Sequence, residues 1–154
     1  MNSKDQFRNT NEYTARAVTY FQRGYICAQA VLLTMQEYWQ VQTPIEPKIA
    51  SAFGAGIGRR GSLCGALTGG ILAISWVYGT NNPSSEERQP SYALSLEFYN
   101  RFHDVCGGVL CRELIGYDLT VQEEQEAARR ANVYMEQCVR YIEAAVTILM
   151  TLTS

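Results

Sequence analysis

Several features that usually announce a function are missing from this chain of 154 residues. There is one histidine, His103, beside Asp104, and no serine–histidine–carboxylate arrangement points to a hydrolase. His103 reads as a surface residue near a helix end rather than a proton shuttle. There is no CxxC pair, the strong local signature of zinc or thioredoxin-like chemistry. Basic residues are sparse. The formal net charge is −2 and the only adjacent basic pairs are Arg59-Arg60 and Arg129-Arg130, which excludes nucleic-acid binding through a basic face. The first residues, MNSKDQFRNTNEYTAR, contain no apolar core of a signal peptide, so the expected compartment is the cytoplasm. Cysteines there stay reduced unless they hold a metal or cycle during turnover. Strand-like alternation is absent, as are repeats and linkers. The expectation is one all-α domain, a bundle of about six helices.

Charge is missing too, from Gly61 to Ser85. Within that gap Leu63, Leu67, Ile71, Leu72, Ile74, Trp76 and Val77 leave no polar face, as in a buried helix. Small residues recur every fourth position at Gly61, Gly65, Gly69 and Ala73; such a row lets backbones approach closely. The segment 62–79 is therefore predicted as the central, Gly/Ala-rich helix, with Cys64 near its amino end. Its apolar run, Leu63 to Tyr78, is shorter than the ~20 residues that cross a bilayer, so a membrane span is not expected.

Around it, residues 1–9 are expected to fray. Helices are predicted from about Asn11 to Arg23, with a Glu12/Arg16 pair, and from Tyr25 to Trp39. A short helix from Lys48 to Phe53 ends at Gly54. Gly54-Ala55-Gly56-Ile57-Gly58 suggests a nucleotide loop, but no strand precedes it, and its glycines are read as a sharp turn with close backbone passage. Ser84-x-x-Glu87 and Thr120-x-x-Glu123 have the form of capping boxes. The first opens a helix that Pro90 kinks or restarts. The second opens a long helix to about Leu152, and a short helical turn, VLCREL, lies between.

Cys27 and Cys64 fall in first turns of helices, Cys111 in a Gly-flanked turn, and Cys138 on the inner face of the last helix. Helix amino ends favour thiolates, and Arg59 and Arg60 add to this for Cys64, the expected attacking thiol. A thiolate serves disulfide exchange or metal binding equally, and cysteine is also a common inert core residue.

At these cysteines the sequence resembles the C_GCAxxG_C_C family of small redox-active proteins. The matching pieces are GYICAQAVL (24–32), the stretch 48–79 with Cys64-Gly65-Ala66-Leu67-Thr68-Gly69 as its CGAxxG motif, CRELIG (111–116) and EQCVRYIEAAV (136–146). The resemblance implies redox activity at Cys27, Cys64, Cys111 and Cys138, with Cys106 outside the pattern. Three readings follow. The first is thiol–disulfide exchange with an unidentified redox partner, which needs no cofactor. The second is a zinc ion or iron–sulfur cluster on the same four cysteines. The third is a helical interaction module with structural cysteines, in which the last helix pairs in a homodimer.

Overall fold

The computed structural model describes the backbone of residues 3–154 and the side chains of residues 9–154. It contains seven α-helices: α1 (Ser3–Gln22), α2 (Cys27–Tyr38), α3 (Gly65–Tyr78), α4 (Ser85–Cys106), α5 (Cys111–Ile115), α6 (Gln122–Arg130) and α7 (Val139–Leu152). A 3-10 helix, Pro47–Phe53, and a π-helical turn, Tyr134–Cys138, complete the path. The described residues form no strand, only one antiparallel bridge between Leu63 and Leu110. The domain is all-α, as the sequence implied.

Helix α1 starts earlier than expected, at Ser3 rather than Asn11. The fraying expected of residues 1 and 2 lies outside the described residues. Arg16 pairs with Glu12 at 2.6 Å, as the i,i+4 spacing predicts, and reaches across to Glu37 of α2 at 2.7 Å. Helix α4 runs unbroken through Pro90. Ser84 Oγ accepts from the Glu87 amide at its start; that is the expected half of a capping box.

The last helix departs most from expectation. Asn132 takes a left-handed φ of 53°, a conformation asparagine tolerates better than other side-chain-bearing residues, and α6 ends there. The chain then restarts through the π turn into α7. Thr120 does not cap α6 either. Its amide and hydroxyl both donate to Asp118 Oδ1, while Glu124 accepts from the Asp118 amide. Val121 is left in the capping position. A local Asx turn has outcompeted the capping box.

Helices α1, α2, α3, α4 and α7 form the bundle, and α7 packs on each of the other four. Ala66, Leu67, Ala73 and Ile74 of α3 are fully buried with Val31, Leu32, Phe98, Phe102, Ile142 and Leu149. The carboxyl end of α3 surfaces: Trp76 and Val77 are exposed, and the Trp76 indole donates to the Thr43 carbonyl. The central helix is thus apolar all round but buried only over its first three turns. Its glycine row explains the packing, because a Cβ at Gly69 would lie 2.7 Å from Ala28 Cα and 2.8 Å from Ala28 C. Helices α2 and α3 meet backbone to backbone, and this brings their amino ends, with Cys27 and Cys64, together.

Candidate functional site

Cys27 opens α2, and Cys64 is the residue immediately before α3 rather than inside its first turn. The amino end of α2 is fixed by Gln29. Its Oε1 accepts from the Ile26 amide, and its Nε2 donates to Pro47 O and Ser51 Oγ, each at 3.2 Å. That ties α2 to the 3-10 helix and so to the loop that follows it.

Residues 61–64 pair with 109–112 across the single antiparallel bridge. The Cys64 amide donates to Val109 O at 2.8 Å, the Cys111 amide to Ser62 O at 2.7 Å and the Arg112 amide to Gly61 O at 3.1 Å. With Leu63 opposite Leu110, Cys64 and Cys111 become diagonal neighbours on one face of the bridge. Cys138 ends the π turn and shares a small apolar cluster with Cys111, Ile115, Leu119, Ala128 and Val133. π turns shift the register of the residues they carry, and this one presents Cys138 to α5.

The four sulfurs are close enough to influence one another's ionisation. A charge on Cys27 bears on Cys64, Cys111 and Cys138 alike, so Cys27 is the common neighbour. An added Cβ at Gly65 would lie 3.0 Å from the Cys27 sulfur; only glycine lets α3 come this near. Four main-chain amides, of Cys27, Ala28, Ala55 and Gly65, act on the Cys27 sulfur, and each favours its thiolate. At Cys64 the Ala66 amide acts in the same sense, among the larger influences.

Burial opposes the amides and wins. It pushes the Cys27 thiol up, the Cys64 thiol well up, the Cys111 thiol to about 11 and the Cys138 thiol far up. The expected lowering at Cys64 by the helix end and by Arg59 and Arg60 is therefore corrected. Both arginines are exposed, and neither is among the largest influences on the buried sulfur. Cys106 stands apart, in a groove with Val105, Arg140, Tyr141 and Ala144, and burial alone lifts its thiol to about 11. Tyr141, whose hydroxyl donates to Leu114 O at 2.8 Å, lies between Cys106 and the cluster and feels Cys106, Cys138 and Cys64. His103 is at the surface beside Asp104.

All five cysteines are free thiols. Among the described residues no three His, Cys, Asp or Glu side chains are arranged to hold a metal ion, and no helix is long and apolar enough to cross a membrane.

The loop over the cluster was legible only as a turn. Ala55, Gly56, Ile57, Gly58 and Arg59 all have positive φ, between 54° and 71°, so the chain makes a left-handed turn five residues long. It is closed by bonds from Gly58 N to Ala52 O at 3.0 Å and from Ser62 N to Gly56 O at 2.9 Å. Side-chain-bearing residues pay about 1–2 kcal/mol each for this conformation, and three of the five carry side chains. Backbone strain of this kind gathers at functional sites. Gly56 lies directly on Cys111, where an added Cβ would sit 2.7 Å from that residue's own Cβ. The alternation of glycine was the signal; the left-handedness of Ala55, whose amide serves Cys27, was not in it.

Raised thiols tie stability to pH. Unfolding returns each to its ordinary value near 9, so the folded state keeps its protons to higher pH than the unfolded chain. That stability is whole below pH 9 and is lost as pH climbs through the folded values. Cys111 alone, raised from 9.0 to about 11, contributes about 3 kcal/mol. The urea midpoint should fall between pH 8 and pH 11, and Cys111→Ala should fall by about 3 kcal/mol less. Parallel losses in the two proteins would refute the assignment.

No curated protein and no solved structure is detectably similar to this chain. A family model described as "Putative redox-active protein (C_GCAxxG_C_C)" matches residues 25–152, a span that contains Cys27, Cys64, Cys111 and Cys138, the left-handed turn and every helix of the bundle except α1. With most of its length and its whole cysteine cluster inside that match, the chain belongs to the C_GCAxxG_C_C redox-active family.

Proposed function

We propose that the protein is a thiol–disulfide exchange protein in which Cys27 attacks and Cys64 resolves. The observation that carries this reading is the close approach of α3 to the Cys27 sulfur at Gly65, where an added Cβ would lie 3.0 Å from that sulfur, which sets Cys27 beside Cys64 where two helix amino ends meet. Of the four residues Cys27 alone is partly exposed, although its thiol faces inward and burial raises it as it does the others. This moves the attacking role from Cys64, which is buried.

The Cys27 thiolate attacks one sulfur of the partner's disulfide, forming a mixed disulfide and expelling the other sulfur as a thiolate that takes up a proton. Cys64, losing its proton, then attacks the Cys27 sulfur, closes the Cys27–Cys64 bond and releases the second partner thiol. Two electrons pass from the protein to the partner, and the reverse sequence returns them. Cys111 and Cys138, packed in one cluster, form the second pair. Cys64 with Cys111 is the less suitable pairing, because diagonal neighbours across a bridge stand about 7–8 Å apart and disulfides need Cα separations of about 4.4–6.8 Å.

The test is mild oxidation with glutathione disulfide, thiol trapping and peptide mass mapping. A Cys27–Cys64 disulfide should form in wild type, and Cys64→Ser should stall as a glutathione adduct on Cys27. Four thiols that alkylate independently and form no disulfide would overturn the proposal. Iron or zinc retained by anaerobically purified protein, and lost on replacing these cysteines, would replace it with the metal reading.

A further inference from the structure

We infer that the exposed face formed by the 3-10 helix and the left-handed turn, residues 48–60, docks an acidic segment of a redox partner protein beside the cysteine cluster. That the partner is a redox protein rests on the exchange reading above; the rest stands on charge and packing.

Charge along this part of the chain has one sign. No acidic residue lies between Glu46 and Glu86, whereas Lys48, Arg59 and Arg60 all fall in that interval. All three are exposed, and none makes an ion pair among the described residues. The whole chain carries −2, so these unpaired cations run against its overall sign. Arg112 adjoins Arg60 in a shallow groove but is already paired with Asp118 at 3.3 Å, and Glu113 lines that groove too. The free charge is that of Lys48, Arg59 and Arg60.

Apolar side chains stand between the cations. Ile49 is 55% exposed and Ile57 44%. In a 3-10 helix positions i and i+3 share a face, which sets Ile49 in line with Ala52, also exposed. The turn folds back on the end of that helix, with Gly58 N donating to Ala52 O at 3.0 Å and Ile57 N to Phe53 O at 3.2 Å. Ile49, Ala52 and Ile57 therefore make one apolar strip, with Lys48 at one end and Arg59-Arg60 at the other. An apolar centre within a charged rim is the anatomy of a protein interface.

Packing fastens this strip to the elements that carry the thiols. Gln29, in the first turn of α2 with Cys27, donates to Pro47 O and Ser51 Oγ, each at 3.2 Å. Gly54 lies on Ile26, the residue before Cys27, where an added Cβ would sit 3.0 Å from the Ile26 side chain. Gly56 lies on Cys111 with no room for a methyl group. A second copy of the chain suits the face less well, because isologous contact would set the same cations against themselves. Anionic membrane also suits it less, since charge-led lipid recognition takes clusters of about 4–8 Lys or Arg.

The probes are an aspartate-rich, a serine-rich and a lysine-rich peptide of equal length, each with leucines and one cysteine activated as its thiopyridyl disulfide. Release of thiopyridone reports attack by the reduced protein. At ~10 mM salt the aspartate-rich peptide should react at least about tenfold faster than the lysine-rich one, and at ~500 mM salt the advantage should largely vanish. Reversing the face, with Lys48→Glu, Arg59→Glu and Arg60→Glu together, should invert the order while leaving the rate with uncharged dipyridyl disulfide unchanged. Ile49→Ser should slow the aspartate-rich peptide severalfold at either salt.

The same peptides with serine for cysteine, labelled and followed by fluorescence anisotropy, separate docking from exchange. If no disulfide forms at all, preferential binding of the aspartate-rich peptide, lost on charge reversal, upholds the docking face while the exchange reading fails. Equal rates for the aspartate-rich and lysine-rich peptides at low salt overturn the docking face and leave the exchange reading intact. A charge-reversed protein that keeps the wild-type preference overturns it as well. So does dimerisation, or binding to vesicles of anionic phospholipid, that charge reversal abolishes while the peptides show no preference.

Discussion

Alanine at position 69 should lower stability by about 3 kcal/mol or more, and thermal unfolding by roughly 10 °C for a chain of this size. Taken alone, a helix interior gains nearly 1 kcal/mol when glycine becomes alanine, so the sign depends wholly on packing. The new methyl would meet the Ala28 carbonyl oxygen and come within 2.7 Å of Ala28 Cα. These are main-chain atoms, and no rotamer change clears them. Helices α2 and α3 would have to part along their contact, opening gaps around Val31, Leu32, Leu67 and Ile74, which are fully buried and would lose contacts on one side. Because the obstacle is the Ala28 backbone, Ala28→Gly should not rescue the variant; rescue would show that the collision had been misplaced. The same separation would draw Gly65 away from the Cys27 sulfur, so disulfide formation between Cys27 and Cys64 should slow in whatever fraction remains folded. Urea midpoints and thiol trapping on one preparation measure both effects.

The glycine row that makes this prediction was legible in the sequence, because a four-residue repeat of small residues has one common use on an apolar helix. The helices were legible for a similar reason: apolar periodicity and glycine punctuation are local signals. So was the cysteine set, through the resemblance carried by CGAxxG and its flanking pieces. The features that escaped depend on distant atoms. Asn132 was visible as a residue that tolerates left-handed backbone, yet the helical spacing from Ala131 to Leu152 ran straight across it, and periodicity alone cannot report a π turn. Thr120 looked like a cap because its own competitor, Asp118, lies two residues upstream and outside the motif. Arg59 and Arg60 seemed well placed to lower the Cys64 thiol, but sequence nearness says nothing about which side of a turn faces a sulfur. The left-handed run through Ala55, Ile57 and Arg59 could not be read at all. Local preference argues against it, and the main-chain hydrogen bonds that close the turn, with Gly56 packed on Cys111 and Ala55 on the cluster around it, make sense of it.

Between pH 7 and pH 9 the alkylation rate of Cys27 by iodoacetamide should rise about a hundredfold, with no plateau. Only the thiolate reacts, and below its pKa the thiolate fraction grows about tenfold per pH unit. Two influences compete at this sulfur. Burial disfavours the charge and raises the thiol, while the four amides favour the charge and lower it; burial is the larger. Cys27 therefore rests as a neutral thiol at pH 7, and a log-linear climb is the consequence. A plateau below pH 8 would mean that the amides prevail, and the balance argued for the site would be wrong. Ala55 offers a way to weigh the two against each other. Its amide is among the groups that favour the Cys27 thiolate, so Ile57→Gly, which relieves the left-handed outlier in the same turn, should move the Cys27 profile to lower pH without altering its slope. The profile of Cys106, which burial alone raises and which no residue of the turn influences, should stay where it is. A displacement confined to Cys27 separates an amide acting on that sulfur from a general change in how easily reagent enters the fold.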